Sequence, residues 1–297
     1  MKLGLQVSRF SFDGAPASTG ATWRTIARDA DRAGLASLWV MDHWFQMAMA
    51  GDPAEDMLEA YTTLAHAAAV TERIELGTLV TGATYRHPGL LVKTVTTLDV
   101  LSGGRAWLGI GAGWYEEEHT GLGVPFPSTR ERFELLEDTL QLAHRMFADD
   151  DRPFAGRVVS ADRPLNHPQP VRRPPIMVGG GGERRPLRLV AQYADACNLF
   201  DTGLGPEGIP HKLDVLRGHC EDVGRPYDEI STTCLARLTM DTGSPLPDGV
   251  VGHSVEHAVE RIGRLGEAGI DHVVCSMANP TDPAVYDLVA EVVRQVA

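Results

Sequence analysis

Short apolar runs alternate with longer helical patterns along the whole chain, and this alternation limits the fold more than any other feature. Candidate strands are Leu3–Val7, Ser37–Met41, Ile74–Thr81, Ala106–Ile110, Ile176–Val178, Ala196–Phe200, Ile230–Leu238 and His272–Ser276. Most are unbroken Val/Ile/Leu-rich runs, the pattern of parallel strands covered on both faces. Helical patterns lie between them: Trp23–Ala33, Met57–Thr71, Leu90–Leu101, Arg130–Phe147, Arg184–Ala194, Ile209–Val223, Val255–Ala268 and Ala284–Val296. Ser128 and Ser254 precede helix starts, and Gly34, Gly224 and Gly269 follow helix ends. Eight strands alternating with eight helices read as an α/β fold, a (β/α)8 TIM barrel. Such barrels typically take about 250 residues. The 297 residues here leave room for two insertions in a single domain, 1–297: Gly111 to Pro127 after strand four and Ala148 to Pro174 before strand five. A doubly wound open sheet is the alternative. The strand count and the lack of a G-x-G-x-x-G turn after the first strand weigh against it.

The chain carries a formal net charge of −13 without a basic stripe, which argues against nucleic acid and anionic membrane as partners. No segment approaches the roughly 18 apolar residues of a membrane span. Met1 to Val7 runs straight into a strand, without the basic and apolar regions of a signal peptide. A cytoplasmic protein acting on a small-molecule substrate is expected. The four cysteines, Cys197, Cys220, Cys234 and Cys275, include no Cys-x-x-Cys pair. They read as small buried hydrophobes, so neither a disulfide framework nor structural zinc is expected.

In a barrel the ligand site lies at the C-terminal ends of the strands. That places Gln6 and Ser8, Asp42 to Trp44, Thr81 to Arg86, Gly111 to Glu118, the run Gly179–Gly182, and Asn198 to Thr202 around one mouth. The run Gly179-Gly180-Gly181-Gly182 joins an apolar strand to a helical pattern. Bare backbone followed by a helix start offers N–H groups to an anion, and Arg184 and Arg185 add positive charge. A flexible turn is the plainer reading. The spacing matches no nucleotide fingerprint, so it does not name the ligand.

Asp42-His43 is a titratable pair ringed by Trp44 and Phe45. Such a histidine can hold or deliver a proton near neutral pH. An Asp capping a loop beside a packed His is an equal alternative. Gly109, Gly111 and Gly113 alternate before Trp114 and Glu116-Glu117-Glu118. Close approach of a ligand to backbone is the functional reading, and a solvated acidic loop the other. No His-x-His, His-Glu-x-x-His or Gly-x-Ser-x-Gly occurs, so no metal site is expected and a cofactor would carry the chemistry.

Asp42-His43-Trp44-Phe45, Leu58 to Ala65, Leu76 to Thr81, Tyr85-Arg86-His87-Pro88, Thr97 to Arg105, Gly109 to Trp114 and the Gly179–Gly182 run form one ordered series. Together they resemble the bacterial luciferase-like monooxygenase superfamily, and within it the branch of oxidoreductases that use the deazaflavin coenzyme F-420 (F420). The resemblance implies a barrel with a flavin or deazaflavin ring at its mouth and the cofactor phosphate near Gly179, Gly180, Gly181, Gly182 and Arg184. It implies a non-prolyl cis peptide between Leu79 and Val80, under the ring. Asp42 matches an aspartate contacting the deazaflavin head, and His43 a histidine used as proton donor. Gly82 stands where the branch's sugar-phosphate dehydrogenase has a ring-contacting threonine, and Trp114, next to Gly113, where it has a catalytic glutamate. Glu117 stands where it has a cofactor-binding asparagine. Trp114 removes the partner acid, so sugar-phosphate oxidation is not implied. Glu116, Glu117 or Glu118 could replace it only if the loop folds back. The expected function is hydride transfer between a reduced deazaflavin and a small organic substrate, by a homodimer packed through the helices after strands two and three. The alternatives are a two-component FMN-dependent monooxygenase and a flavin-binding protein without turnover.

Overall fold

The computed structural model describes residues 1–201 and 208–297. Strands β1 (Lys2–Val7), β2 (Ser37–Val40), β3 (Glu75–Thr78), β4 (Ala106–Gly111), β5 (Ile176–Gly179), β6 (Ala196–Phe200), β7 (Ser231–Arg237) and β8 (His272–Ser276) pair in parallel, each with its sequence neighbours. Pairing of β1 with β8 and of β3 with β4 closes the ring. The molecule is a (β/α)8 TIM barrel. Helices α1 (Thr19–Arg32), α2 (Ala60–Ala68), α3 (Pro88–Ser102), α5 (Thr129–Phe147), α6 (Pro186–Tyr193), α7 (Gly208–Val223), α8 (Val255–Glu267) and α9 (Ala284–Val296) follow successive strands, and α4 (Glu116–Leu122) lies between β4 and α5.

Burial sorts the apolar residues into two layers. Trp39, Leu79, Trp107, Met177, Ala196 and Val274 fill the barrel interior, where Trp39 and Trp107 meet edge to face at 5.8 Å. A larger shell, including Leu5, Leu38, Leu76, Leu108, Leu91 and Leu140, packs between strands and helices. This two-sided burial is why the strands read as continuous apolar runs. At the N-terminal end Arg105 donates to the carbonyls of Ala68, Thr71, Ile74 and Ser102, tying α2, α3 and β3 together.

Three boundaries depart from the sequence expectation in ways that shape the mouth. Strand three stops at Thr78, and a short Thr81–Gly82 strand resumes pairing with β4 after a cis Leu79–Val80 peptide. Helix α6 begins at Pro186 rather than Arg184, because proline fits only the first helical turn. The stretch expected as a loop after strand four contains α4. Three acids in its first turn favour the positive helix end, and Gly123 caps the other end at φ 71°. Before β5, Phe154–Ala155 and Ser160–Ala161 form a small antiparallel hairpin.

Candidate active site

The mouth is organised around the break in strand three. Gln6 of β1 donates from Nε2 to the Leu79 carbonyl at 3.0 Å, and both residues are buried. Tyr61, Thr81 and Thr78 form a hydroxyl chain, with Tyr61 Oη 2.8 Å from Thr81 Oγ1 and Thr78 donating to the Gly109 carbonyl at 2.9 Å. The Val80 side chain stands against the ends of β4 and β5: a Cβ on Gly111 would lie 3.1 Å from it, and one on Gly179 2.9 Å. Glycine at those positions keeps a bare floor around Val80.

On one side of this floor lies Asp42, with 3% of its surface exposed. Both its oxygens accept from Arg86, at 2.5 and 3.0 Å. Arg86 also donates to Glu59 and lies over the rings of Tyr61 and Trp44. Burial pushes the Asp42 carboxyl above its ordinary value, against the pull of Arg86. Burial also opposes charge on Arg86, but the hydrogen bond and charge of Asp42 outweigh it and hold the guanidinium firmly protonated. A ligand at Asp42 would therefore share its carboxylate with Arg86.

Beside it stands His43, whose Nδ1 lies 2.8 Å from Glu118 Oε1. Glu118 is fully buried. Its Oε2 accepts from the Trp44 and Phe45 backbone N–H groups at 2.7 and 3.3 Å, and Tyr85 donates its hydroxyl to Oε1. Burial pushes the Glu118 carboxyl up, but the bonds from His43 and Tyr85 prevail and hold it below the usual glutamate value. The next residue fastens α4 to the loop after strand three: His119 Nε2 lies 2.7 Å from Thr84 Oγ1 and Nδ1 2.7 Å from the Tyr115 carbonyl. A carbonyl only accepts, so Nδ1 carries the His119 proton and Thr84 donates to Nε2 when the ring is neutral. Of the three consecutive acids, the loop thus folds back to bring Glu118 alone to His43. Glu117 is exposed and accepts from Tyr115 Oη at 2.7 Å. Trp114 is half exposed and presents its ring to His43 at 5.6 Å, edge to face. Gly113 lies between Thr84 and the Arg132 side chain, which donates to its carbonyl at 3.2 Å. Gly82 is buried against the Tyr85 ring.

Gly179 ends β5, and Gly180 turns the chain at φ 115°, a conformation closed to L side chains. Among the described residues, no acceptor takes the backbone N–H of Gly181, Gly182, Glu183 or Arg184. These donors precede α6, and among the described residues only the far carbons of Leu199 and Lys212 come within 4 Å of a Cβ built on Gly181. A row of N–H groups that no described residue accepts from, beside bare backbone, fits a phosphate. The Arg184 side chain turns outward. It lines a cleft of about 270 Å³ with Arg185, Arg188 and Phe133, between α5 and α6. Thr202, expected at the mouth after strand six, lies outside the described residues. Among the described residues no group of His, Cys, Asp and Glu is arranged to hold a metal, and no helix is long and apolar enough to cross a membrane.

Sequence reasoning found the strand ends but missed the partners of Asp42 and His43. Arg86 stood in the series of motifs as a bare basic residue. Glu118 was one of three equivalent acids until a helix gave them different faces.

Residues 3–244 match the luciferase-like monooxygenase family. The chain is 31% identical over 246 residues to an F420-dependent glucose-6-phosphate dehydrogenase of Kineococcus radiotolerans, a match that spans 81% of this chain and 68% of the relative. An F420-dependent secondary alcohol dehydrogenase solved with an F420-acetone adduct superposes with a TM-score of 0.82 at 18% identity, over 100% of this chain and 99% of that one. Riboflavin lyase RcaE, solved with modified FMN and riboflavin, superposes with a TM-score of 0.80 at 14% identity, over 99% of this chain and 90% of that one. At such identities these two likenesses concern the fold. The motif series, the closed barrel and the match over most of the sequence agree: the chain belongs to the luciferase-like monooxygenase family.

Proposed function

We propose that this protein is an F420-dependent oxidoreductase acting on a small organic substrate. The observation that carries the reading is the mouth itself. A histidine held by a buried glutamate and a row of backbone donors flank one bare floor, and the relative with 31% identity is named for F420. When bound, a deazaflavin supplies a site that accepts or gives up a hydride. The chain's own residues do the rest. The N–H groups of Gly181 to Arg184 hold the phosphate, with Gly179 and Gly180 leaving room. Leu79 and Val80, with Gly82, Gly113 and Trp114, line the ring. Asp42 shapes the head site through Arg86, and Glu117 lies at its exposed rim. His43 exchanges the proton at Nε2: as a substrate alcohol loses hydride, its hydroxyl proton passes to that nitrogen, and reduction runs the reverse. Glucose 6-phosphate is not the substrate favoured here: Trp114 carries no charge where the sugar-phosphate dehydrogenase has its acid, and Glu118, though folded back to His43, is fully buried and already accepts from four donors.

Anaerobic titration of the purified protein with F420 and with FMN tests the reading. Micromolar binding of F420 supports it, and binding of FMN alone rejects it. His43→Asn is expected to keep F420 affinity within about threefold while lowering turnover about 10²-fold, the usual scale of a lost proton carrier. A second reading, a two-component FMN-dependent monooxygenase, draws on the same donor row, which would take the phosphate of FMN equally well. Oxygen uptake that depends on an added flavin reductase would favour it. The exposed Leu90 and Leu101 of α3 support a homodimer packed through α2 and α3, which sedimentation velocity measures.

A further inference from the structure

The buried carboxylate of Glu118 has an unusual set of partners. Four donors converge on it: His43 Nδ1, the Trp44 and Phe45 N–H groups, and Tyr85 Oη. Two of them belong to the residues that follow His43, so one side chain fixes both the imidazole and the loop that carries it. Among the described residues no lysine or arginine pairs with Glu118, and its one ionisable cationic partner is His43. The negative charge is therefore stabilised by dipoles and left available to an imidazolium. A carboxylate only accepts, so Nδ1 carries the hydrogen of the neutral ring and Nε2 is the nitrogen left to exchange protons.

We propose that Glu118 is a positioning residue for His43: its carboxylate holds the ring in the Nδ1–H tautomer and stabilises the imidazolium formed when Nε2 takes up a proton. This rests on the reading of His43 as the proton carrier. The other charged and titratable groups around His43 leave Glu118 as the group that governs it. Tyr115 faces the ring at 5.8 Å from the start of α4 and donates its hydroxyl to Glu117. Tyr85, from the loop after strand three, donates to Glu118. On the histidine's own loop the Asp42 charge is met by Arg86. A glutamine at 118 would keep the shape, but its NH2 would have to face either the two backbone N–H groups or the His43 and Tyr85 donors, and it would remove the charge.

The test uses the full-length protein labelled with ¹⁵N-histidine, with long-range ¹H–¹⁵N correlation spectra recorded across pH. His43→Asn identifies the His43 signals. The neutral wild-type ring is expected as the Nδ1–H tautomer. E118Q is expected to move the His43 titration midpoint to lower pH by about one unit or more, the effect of losing a close opposite charge, and E118D to restore most of it. An Nε2–H tautomer in the wild-type protein overturns the proposal. So does an unmoved midpoint in E118Q that retains its near-ultraviolet circular dichroism. Should E118Q not fold, the wild-type tautomer still decides, because an Nε2–H ring would overturn the proposal without any variant. The spectra need neither F420 nor substrate. Failure to bind F420 would therefore overturn the functional reading and leave this one standing, and the converse holds.

Discussion

Asp42 shows what a strand-end carboxylate costs when it is buried. Both oxygens are spent on Arg86, 44 positions away in sequence, and removing the guanidinium leaves an uncompensated charge. Arg86→Met is expected to destabilise the fold by about 3–5 kcal/mol, as measured for broken buried pairs. It should appear as a lower urea midpoint at unchanged slope. Replacing both members, Asp42→Asn with Arg86→Met, should recover more than half of that loss, because the stranded charge is gone. A double variant no more stable than Arg86→Met would show that Arg86 acts through Glu59 and the aromatic rings instead. The sequence placed Asp42, His43 and Arg86 at one mouth, because strand ends are legible from apolar runs. It did not reveal that Asp42 and Arg86 satisfy each other. Nor did it separate Glu118 from Glu116 and Glu117, since that distinction is a rotation of about 100° per residue on a helix whose existence the glycine-rich stretch concealed.

Helix starts were readable where a serine caps them, at α5 and α8, whereas the glutamate-capped start of α2 lies at Ala60 rather than Met57. Ser128 accepts from Glu131 N and Glu131 reaches back to Ser128 N, so the start of α5 matched its sequence signal within a residue. Ser128→Ala is expected to cost about 1 kcal/mol in urea unfolding and to leave F420 titration unchanged, since the cap lies on the outer shell. The interruption of strand three was less readable. Apolar and small residues run unbroken from Leu76 to Gly82, and only the resemblance pointed to Leu79–Val80. Gly109 lies opposite this interruption, where a Cβ would run into the Thr78 carbonyl oxygen. Because that atom is backbone, relief requires moving β3 away from β4 at the seam that closes the ring. Gly109→Ala should therefore destabilise by about 3 kcal/mol, the upper range of overpacking, and weaken F420 binding as well. A variant of wild-type stability would mean that the seam yields more easily than close packing of strands allows.

The barrel as a whole was legible because its alternation is global, and eight repeats survive errors of a few residues in each. Its response to acid depends on local burial that no periodicity conveys. His272 opens β8 with 4% of its surface exposed and Nε2 2.9 Å from Ser37 Oγ. Burial, with help from the Lys2 charge, pushes its pKa down to about 4 from an ordinary 6.5. The folded ring stays neutral over that interval while the unfolded chain takes up a proton. Stability is thus fully present above pH ~6.5 and declines as the pH falls toward 4, by at most about 3 kcal/mol. Glu118 acts in a different window. Its folded value is lowered, so its contribution is present above the ordinary glutamate range, near pH 4.5, and is lost only below it. The net charge of −13 works in the opposite sense, because partial neutralisation in mild acid relieves self-repulsion. The wild-type curve alone therefore cannot isolate either group, and the informative quantity is a difference between variants. His272→Gln should flatten the loss of stability between pH 7 and pH 5 while leaving the steeper fall below pH 4.5 in place. Urea midpoints at each pH measure this. Equal slopes in the two proteins above pH 5 would mean that His272 is protonated in the fold, and that the barrel floor admits more water than its burial implies.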